Sequence, residues 1–306
     1  MDNTTTITQC HPASTGKVVI GLMFIAMPFH ILISYTFAKD STLFLPRHRI
    51  LLCLSISHGF QLTVPFVSIV IMKSGSLHAQ GTPCQVMRSI VQFSTGVTIV
   101  VSSFTLIALS MERYIACIHG ARLHQIVTNQ RVTSLLVGFW FLGAVSGGLI
   151  FIGKKKTVVA STILSDTPNI QILIVVITFP TCLILIFVQT RLFIVSRRQI
   201  TRVMPGMAGR RHPEQNNMGR RQIKVAVIAG IVIISYVTLI IPSACHVAVN
   251  IVSNGLKPSP VKKNLTILWT LNAIIDPLVY GLGMKDVRTA IIRQIKRIHF
   301  FGCLIP

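Results

Sequence analysis

Acidic residues are scarce in this chain: seven Asp and Glu among 306 residues, against 29 Lys and Arg. Charged residues of both signs make up only 12%, where soluble domains carry about 25%. That poverty excludes an ordinary soluble surface. It also removes the raw material of carboxylate chemistry, and no acid pair, nucleophile with base or metal-ligand cluster stands at a working spacing. An enzyme is therefore not expected. The seven cysteines show no zinc or redox spacing. Cys53, Cys117, Cys182 and Cys245 lie in or beside apolar runs and read as small hydrophobes. There is no internal repeat of 20–50 residues and no stretch that reads as a soluble domain.

Apolar residues supply 51% of the chain and the mean hydropathy is +0.69. Crossing roughly 30 Å of hydrocarbon takes about 20 apolar residues in a helix. Seven stretches reach that length: Val18–Ala38, Ile50–Met72, Val86–Met111, Val132–Ile152, Ile170–Ser196, Val225–Val249 and Leu265–Leu282. The predicted class is an all-α membrane protein, a seven-helix transmembrane bundle. The first sixteen residues are polar and the first apolar run has full span length, so that helix is expected to serve as the insertion signal. Twenty of the 29 basic residues fall in the connections after the first, third and fifth spans and in the C-terminal tail. The positive-inside rule puts that side in the cytoplasm and the N-terminus outside.

The predicted organisation is an extracellular tail over 1–17, a membrane domain over 18–284, and a cytoplasmic amphipathic helix and tail over 285–306. A formal net charge of +22 invites a nucleic-acid reading, but the basic residues sit in loops between spans and no nucleic-acid motif accompanies them. The partner they fit is the anionic inner leaflet, worth about 1 kcal/mol per juxtamembrane Lys or Arg. Arg197–Lys224, with Met204-Pro205-Gly206-Met207-Ala208-Gly209 inside it, is the longest connection and is predicted to be a flexible cytoplasmic loop. Beyond the last span, Val287, Ile291, Ile295 and Ile298 recur at helical spacing with Arg288, Arg293, Lys296 and Arg297 between them, the pattern of an amphipathic helix on a membrane face. Cys303 just beyond is a candidate for palmitoylation, with a free thiol as the alternative. Cys10 and Cys84 fall outside, where a disulfide persists; spacing alone does not show that they meet. Of two glycosylation sequons on the outer side, Asn3-Thr4-Thr5 is favoured over Asn264-Leu265-Thr266, which nearly touches a span.

Glu112-Arg113-Tyr114 sits at the inner end of the third apolar run. An ionisable side chain in hydrocarbon costs roughly 2.5–3.5 kcal/mol even on lenient scales, so it is usually paired, snorkelling or functional. Together with Asp276-Pro277-Leu278-Val279-Tyr280 in the seventh span, this tripeptide resembles the motifs of rhodopsin-like (class A) G-protein-coupled receptors. Trp140, Pro180, Pro242 and Asn272 stand at the family's spacing. Met111-Glu112-Arg113-Tyr114-Ile115-Ala116-Cys117-Ile118-His119 followed by Arg122-Leu123-His124, with Pro46-Arg47-His48-Arg49-Ile50-Leu51, Gln61-Leu62-Thr63 and Tyr280-Gly281-Leu282, is similar to odorant receptors of the group best known in fish.

The resemblance implies a plasma-membrane, multi-pass receptor that binds a small, odorant-like molecule and activates a heterotrimeric G protein, with no cofactor. It implies an activation switch of Glu112, Arg113, Tyr114, Asp276, Pro277 and Tyr280, in which Glu112 holds Arg113 at rest. The stretch Gly219-Arg220-Arg221-Gln222-Ile223-Lys224 offers no acid for a second hold on that arginine, so a loose resting lock and some ligand-independent signalling are expected. At the bundle centre the family's second-helix aspartate is His58 here, while Ser102, Asn272 and Asp276 match the other groups around its buried sodium ion. With imidazole in place of a carboxylate, sodium binding is expected to be poor. His58 and Asp276 are expected to pair, a lone His satisfied by backbone being the alternative.

The family's disulfide between the third helix and the second outer loop is not expected, because 153–169 holds no cysteine. The expected ligand wall comprises Gln92, Thr95, Gly96, Ile99, Ile177, His246 and Trp269, in the outer half between the third, fifth, sixth and seventh helices. The only acids within spans are Glu112 and Asp276, both deep, which argues against an amine ligand; Lys154-Lys155-Lys156 and Lys262-Lys263 offer attraction to an anion. An opsin is excluded, since no lysine for a Schiff base lies between Asn264 and Met284. The rival readings are a receptor-like protein that has lost signalling, and a transporter or channel. The second would call for broken helices, internal symmetry or several intramembrane charges, none of which is visible.

Overall fold

The computed structural model describes residues 17–40, 43–73, 82–119, 122–150, 168–203, 213–252 and 261–302. Among them there is no strand, and the elements in order are α1 (Lys17–Lys39), α2 (Pro46–Lys73), α3 (Thr82–His119), α4 (Leu123–Ile126), α5 (Asn129–Leu149), α6 (Pro168–Val203), α7 (Pro213–Val252), α8 (Val261–Gly283) and α9 (Lys285–Gly302). Six of these, α1, α2, α3, α5, α6 and α7, are long and apolar enough to cross a membrane, and Ile267–Val279 within α8 is the shorter seventh. A helix satisfies its own backbone donors and acceptors, which is the requirement a water-free bilayer imposes. The protein is a multi-pass, all-helical membrane bundle.

Two boundaries differ from expectation. Helix α3 continues to His119, so Glu112-Arg113-Tyr114 lies inside a helix and not at its end. Helix α6 runs on to Val203 and α7 begins at Pro213, so most of the connection expected to be a flexible loop is helical; only 204–212 lie outside the described residues. The reason is propagation. Once a span has supplied the nucleus, each further Arg, Gln or Met, all good helix formers, extends the helix at little cost.

Helix α3 is the axis of the bundle: 78% of its most apolar window is buried, against 22% for α5 and 28% for α1. It earns that place with short side chains whose hydroxyls are satisfied locally. Thr95 donates to Val91 O (2.8 Å), Thr98 to Ser94 O (2.9 Å) and Ser110 to Leu106 O (2.8 Å), so polar residues enter the core without needing distant partners. Helix α5 approaches α3 through Gly143 and Gly147, four residues apart. A methyl at Gly147 would stand 2.9 Å from both the Cδ2 and the carbonyl oxygen of Phe93, and one at Gly143 3.0 Å from Val97 O. Such close approach of backbones is what small residues permit where no hydrophobic force drives helices together.

At the inner end, meaning the end that carries Arg113 and α9, one apolar cluster gathers Leu51, Leu54, Leu106, Leu109, Leu185 and Ile233 with Val287 and Ala290 of α9. The buried stripe of α9 is Val287, Ala290 and Gln294, with Ile291 half-buried, whereas Ile295 is exposed. This stripe packs on the bundle, and Ile295, expected to face the membrane, is exposed; the side chain of Ile298 lies outside the described residues. Two ion pairs fix the helix: Arg47 Nη2 donates to Asp286 Oδ2 and Arg293 Nη1 donates to Asp40 Oδ2, each at 2.9 Å. Asp286 and Arg293 both lie along one side of the buried face.

Candidate functional site

The centre of the bundle is built around two histidines that apolar spans would not otherwise carry. His30 of α1 has its Nε2 2.8 Å from Ala273 O of α8, so Nε2 holds the proton and donates. Its Nδ1 then accepts from Ser55 Oγ of α2 at 3.2 Å, and Ser34 Oγ donates to Ser55 Oγ at 3.5 Å. This chain of bonds ties α1, α2 and α8 together through groups that are dry and satisfied. The ring of His30 meets that of His58 edge-on, with centroids 6.1 Å apart. His58 in turn places Nδ1 3.2 Å from Asp276 Oδ2, and both side chains are 2% exposed.

That last contact is close but not aligned. Neither Asp276 oxygen, nor His58 Nδ1, nor Asn272 Oδ1 has a hydrogen-bond partner among the described residues. The contact is therefore one of proximity, without a directional bond. A space of about 10 Å³, bounded by His30, Ser55, His58, Asp276 and Pro277 among others, adjoins it, at the lower limit of what one water occupies. The sodium ion implied by the family resemblance does not fit this donor set. Where the ion would need a second carboxylate, the imidazole of His58 stands 3.2 Å from Asp276 Oδ2. Among the described residues no group of three His, Cys, Asp or Glu can hold a metal.

At the inner end, Arg113 Nε lies 2.9 Å from Glu112 Oε2, with the side chains 8% and 6% exposed. Adjacent residues on a helix diverge by about 100°, so the N–H does not point along the short separation, and the contact is an ion pair rather than an aligned hydrogen bond. Tyr114 is half-buried beside it and Pro277 is buried in α8. The side chains of Tyr280 and of Gly219–Lys224 lie outside the described residues, as do Asn3, Cys10 and Cys303, and the side chain of Cys84.

In the outer half, Ile99 of α3, Ile150, Ile170 and Ile174 form a buried cluster onto which Ile177 of α6 and Trp269 of α8 pack. Trp269 also touches the large inner cluster, so it spans two levels of the bundle. Neutral polar side chains are buried at this depth on four helices: Gln92 and Thr95 on α3, Gln171 and Thr178 on α6, Ser243 on α7 and Thr270 on α8. His246 is half-buried. Gly96 is not part of this wall. A methyl there would stand 3.1 Å from Gly147 Cα, so Gly96 faces α5 and serves the close helix contact.

Sequence reasoning missed His30, whose signal was a lone histidine in the middle of an apolar run. It also missed Tyr236 of α7, whose hydroxyl lies 3.0 Å from Ser103 Oγ of α3. Nothing in the sequence paired Asp40 with Arg293 across the length of the chain.

Comparison with known proteins bears on the whole bundle. The family described as "7 transmembrane receptor (rhodopsin family)" matches residues 31–280. Melanocortin receptor 3 of Rattus norvegicus is 20% identical over 282 residues, covering 89% of this chain and 82% of the relative. Melanocortin receptor 3 of Homo sapiens and of Mus musculus match with the same identity and coverage.

Proposed function

Because the chain belongs to the rhodopsin family of seven-transmembrane receptors, we propose that it is a chemosensory receptor of the plasma membrane, taking a small, uncharged, odorant-like ligand and activating a heterotrimeric G protein. The observation that carries this reading is the outer half of the bundle. Ile99, Ile177 and Trp269 offer an apolar floor, and Gln92, Thr95, Gln171, Thr178 and Thr270 offer neutral polar groups close by. Apolar walls with a few polar groups are the usual make-up of a small-molecule site. Within the described spans the carboxylates are Glu112 and Asp276, at the inner end and the centre, which leaves a cationic ligand no counter-charge in the outer half. The relatives' name refers to a melanocortin; an identity of 20% does not bring that ligand to this chain.

In this reading the membrane domain is 18–284, Asn3 in the outer tail carries glycan, Cys303 is a lipidation site, and 285–306 lies along the inner leaflet. Glu112 restrains Arg113 at rest, and Asp276, Pro277 and Tyr280 let α8 adjust when ligand binds. A receptor that has lost signalling is the second reading, and the replacement of a carboxylate by His58 at the centre favours it. G-protein dissociation measured in cells expressing wild type and Arg113→Ala at matched surface levels separates the two. Basal or odorant-evoked dissociation that disappears in the variant supports coupling through Arg113. Equal silence of both across an odorant panel defeats it.

A further inference from the structure

Release of Arg113 would strand a charge. Glu112 is buried, with its side chain 6% exposed, and its Oε2 has no hydrogen-bond donor among the described residues. In the proposed activation Arg113 departs, and a carboxylate without a counter-ion at that depth is strongly unfavourable. Either the acid is neutralised or another cation takes Arg113's place.

Such a cation stands on α2. After Arg113, Arg47 is the next cation whose charge reaches Glu112. The charges of Arg47, Arg113 and Asp286 all bear on His48, so the pairs Arg47–Asp286 and Arg113–Glu112 belong to one cluster built by α2, α3 and α9. Arg47 is held there by two bonds. Its Nε donates to Nε2 of His48, which is 1% exposed, at 3.2 Å, and its Nη2 donates to Asp286 Oδ2 at 2.9 Å.

The two pairs are unequal. Asp286 is 62% exposed and lies in the first turn of α9, where water and the positive end of the helix dipole support its charge without Arg47. Glu112 has neither, since it lies inside α3, away from the helix N-terminus and from water. An exchange in which Arg47 leaves Asp286 for Glu112 gives up a weak surface pair and preserves a buried one. A guanidinium on a long flexible stem, with donors beyond those used on His48 and Asp286, is suited to that turn.

We propose that Arg47 is the positioning residue that receives Glu112 when Arg113 leaves it, exchanging Asp286 of α9 for the carboxylate of α3. This rests on the reading of Glu112 and Arg113 as an activation switch. It links the docking of α9 to that switch: Arg47 on Asp286 favours rest, and Arg47 on Glu112 favours release.

Signalling and folding test it separately. In cells at matched surface levels, Arg47→Ala should lower G-protein dissociation at least about tenfold, the worth of one hydrogen bond to a charged group. Asp286→Asn breaks the same surface pair yet should raise the basal signal, by up to about fivefold, because it frees Arg47. A role confined to docking α9 would move both variants in one direction, and that result overturns the exchange. Thermal unfolding of the full chain in lipid nanodiscs reads the pairing without signalling. Arg113→Ala and Arg47→Ala each leave Glu112 one cation and the double variant leaves none, so its folding constant should fall at least about tenfold beyond the two single losses combined. Glu112→Gln in the double background should recover that excess, which also reads the result if the double variant fails to fold. Losses that simply combine, with no recovery on Glu112→Gln, overturn the exchange whatever the signalling. Excess loss and recovery with no signal in any variant uphold the hold of Arg47 on Glu112 and remove the receptor-coupling reading instead.

Discussion

The contact between His58 and Asp276 can be weighed before it is tested. At 3.2 Å and an effective dielectric of about 20, two full charges attract by about 5 kcal/mol, whereas a neutral hydrogen bond contributes about 1 kcal/mol net. The perturbation is a double-mutant cycle of His58→Leu and Asp276→Asn. His58→Leu removes the one imidazole beside a buried carboxylate that has no hydrogen-bond donor among the described residues, which costs about 3–5 kcal/mol if the two groups are charged. Asp276→Asn removes the charge, so that adding His58→Leu to it strands nothing further. The double variant should therefore be no less stable than His58→Leu alone, with a coupling of at least about 1 kcal/mol. Thermal unfolding of the four proteins in nanodiscs, followed by the fluorescence of Trp140 and Trp269, reads it directly. Losses that simply add would mean that the two side chains are neighbours without being partners, and the central site would have to be rebuilt around His30 alone.

The close approach of α3 and α5 makes a sharp contrast between adjacent glycines. Gly147→Ala should cost about 1–3 kcal/mol, because its methyl meets the Phe93 backbone, which cannot yield; Gly148→Ala, with nothing within 4 Å, should be close to neutral in the same unfolding measurement. The two ion pairs of α9 should also differ. Arg293→Ala withdraws a charged partner from Asp40, whose side chain is 4% exposed, and should lower stability by about 1–3 kcal/mol; Arg47→Ala acts on the solvent-exposed Asp286, 62% exposed, and should stay within about 1 kcal/mol. Equal effects of the two would show that α9 is held by its apolar stripe and not by Asp40.

What could be read from the sequence divides along a physical line. Apolar length fixes the number of spans and basic residues fix their sense, because both answer to the bilayer, a solvent whose demands are the same at every position along the chain. Glu112 and Arg113 were legible for the same reason: a charge in an apolar run announces itself. Contacts between helices were not, since they depend on how each helix is turned about its axis. Gly96 shows the difficulty. It shares a face of α3 with Gln92 and Thr95, which suited a ligand wall, yet only the backbone of α5 at Gly147 settles what Gly96 faces. Ser103 shows it again. Ser102, Ser103 and Thr105 read as interchangeable small polar residues until Tyr236, 133 residues on from Ser103, selects one. Rotation about the helix axis is set by long-range partners, so the features most sensitive to mutation in this bundle are those that hold two helices in register: Gly143 and Gly147 of α5, the hydroxyls of Ser103 and Tyr236, and the carboxylate of Asp276 against His58.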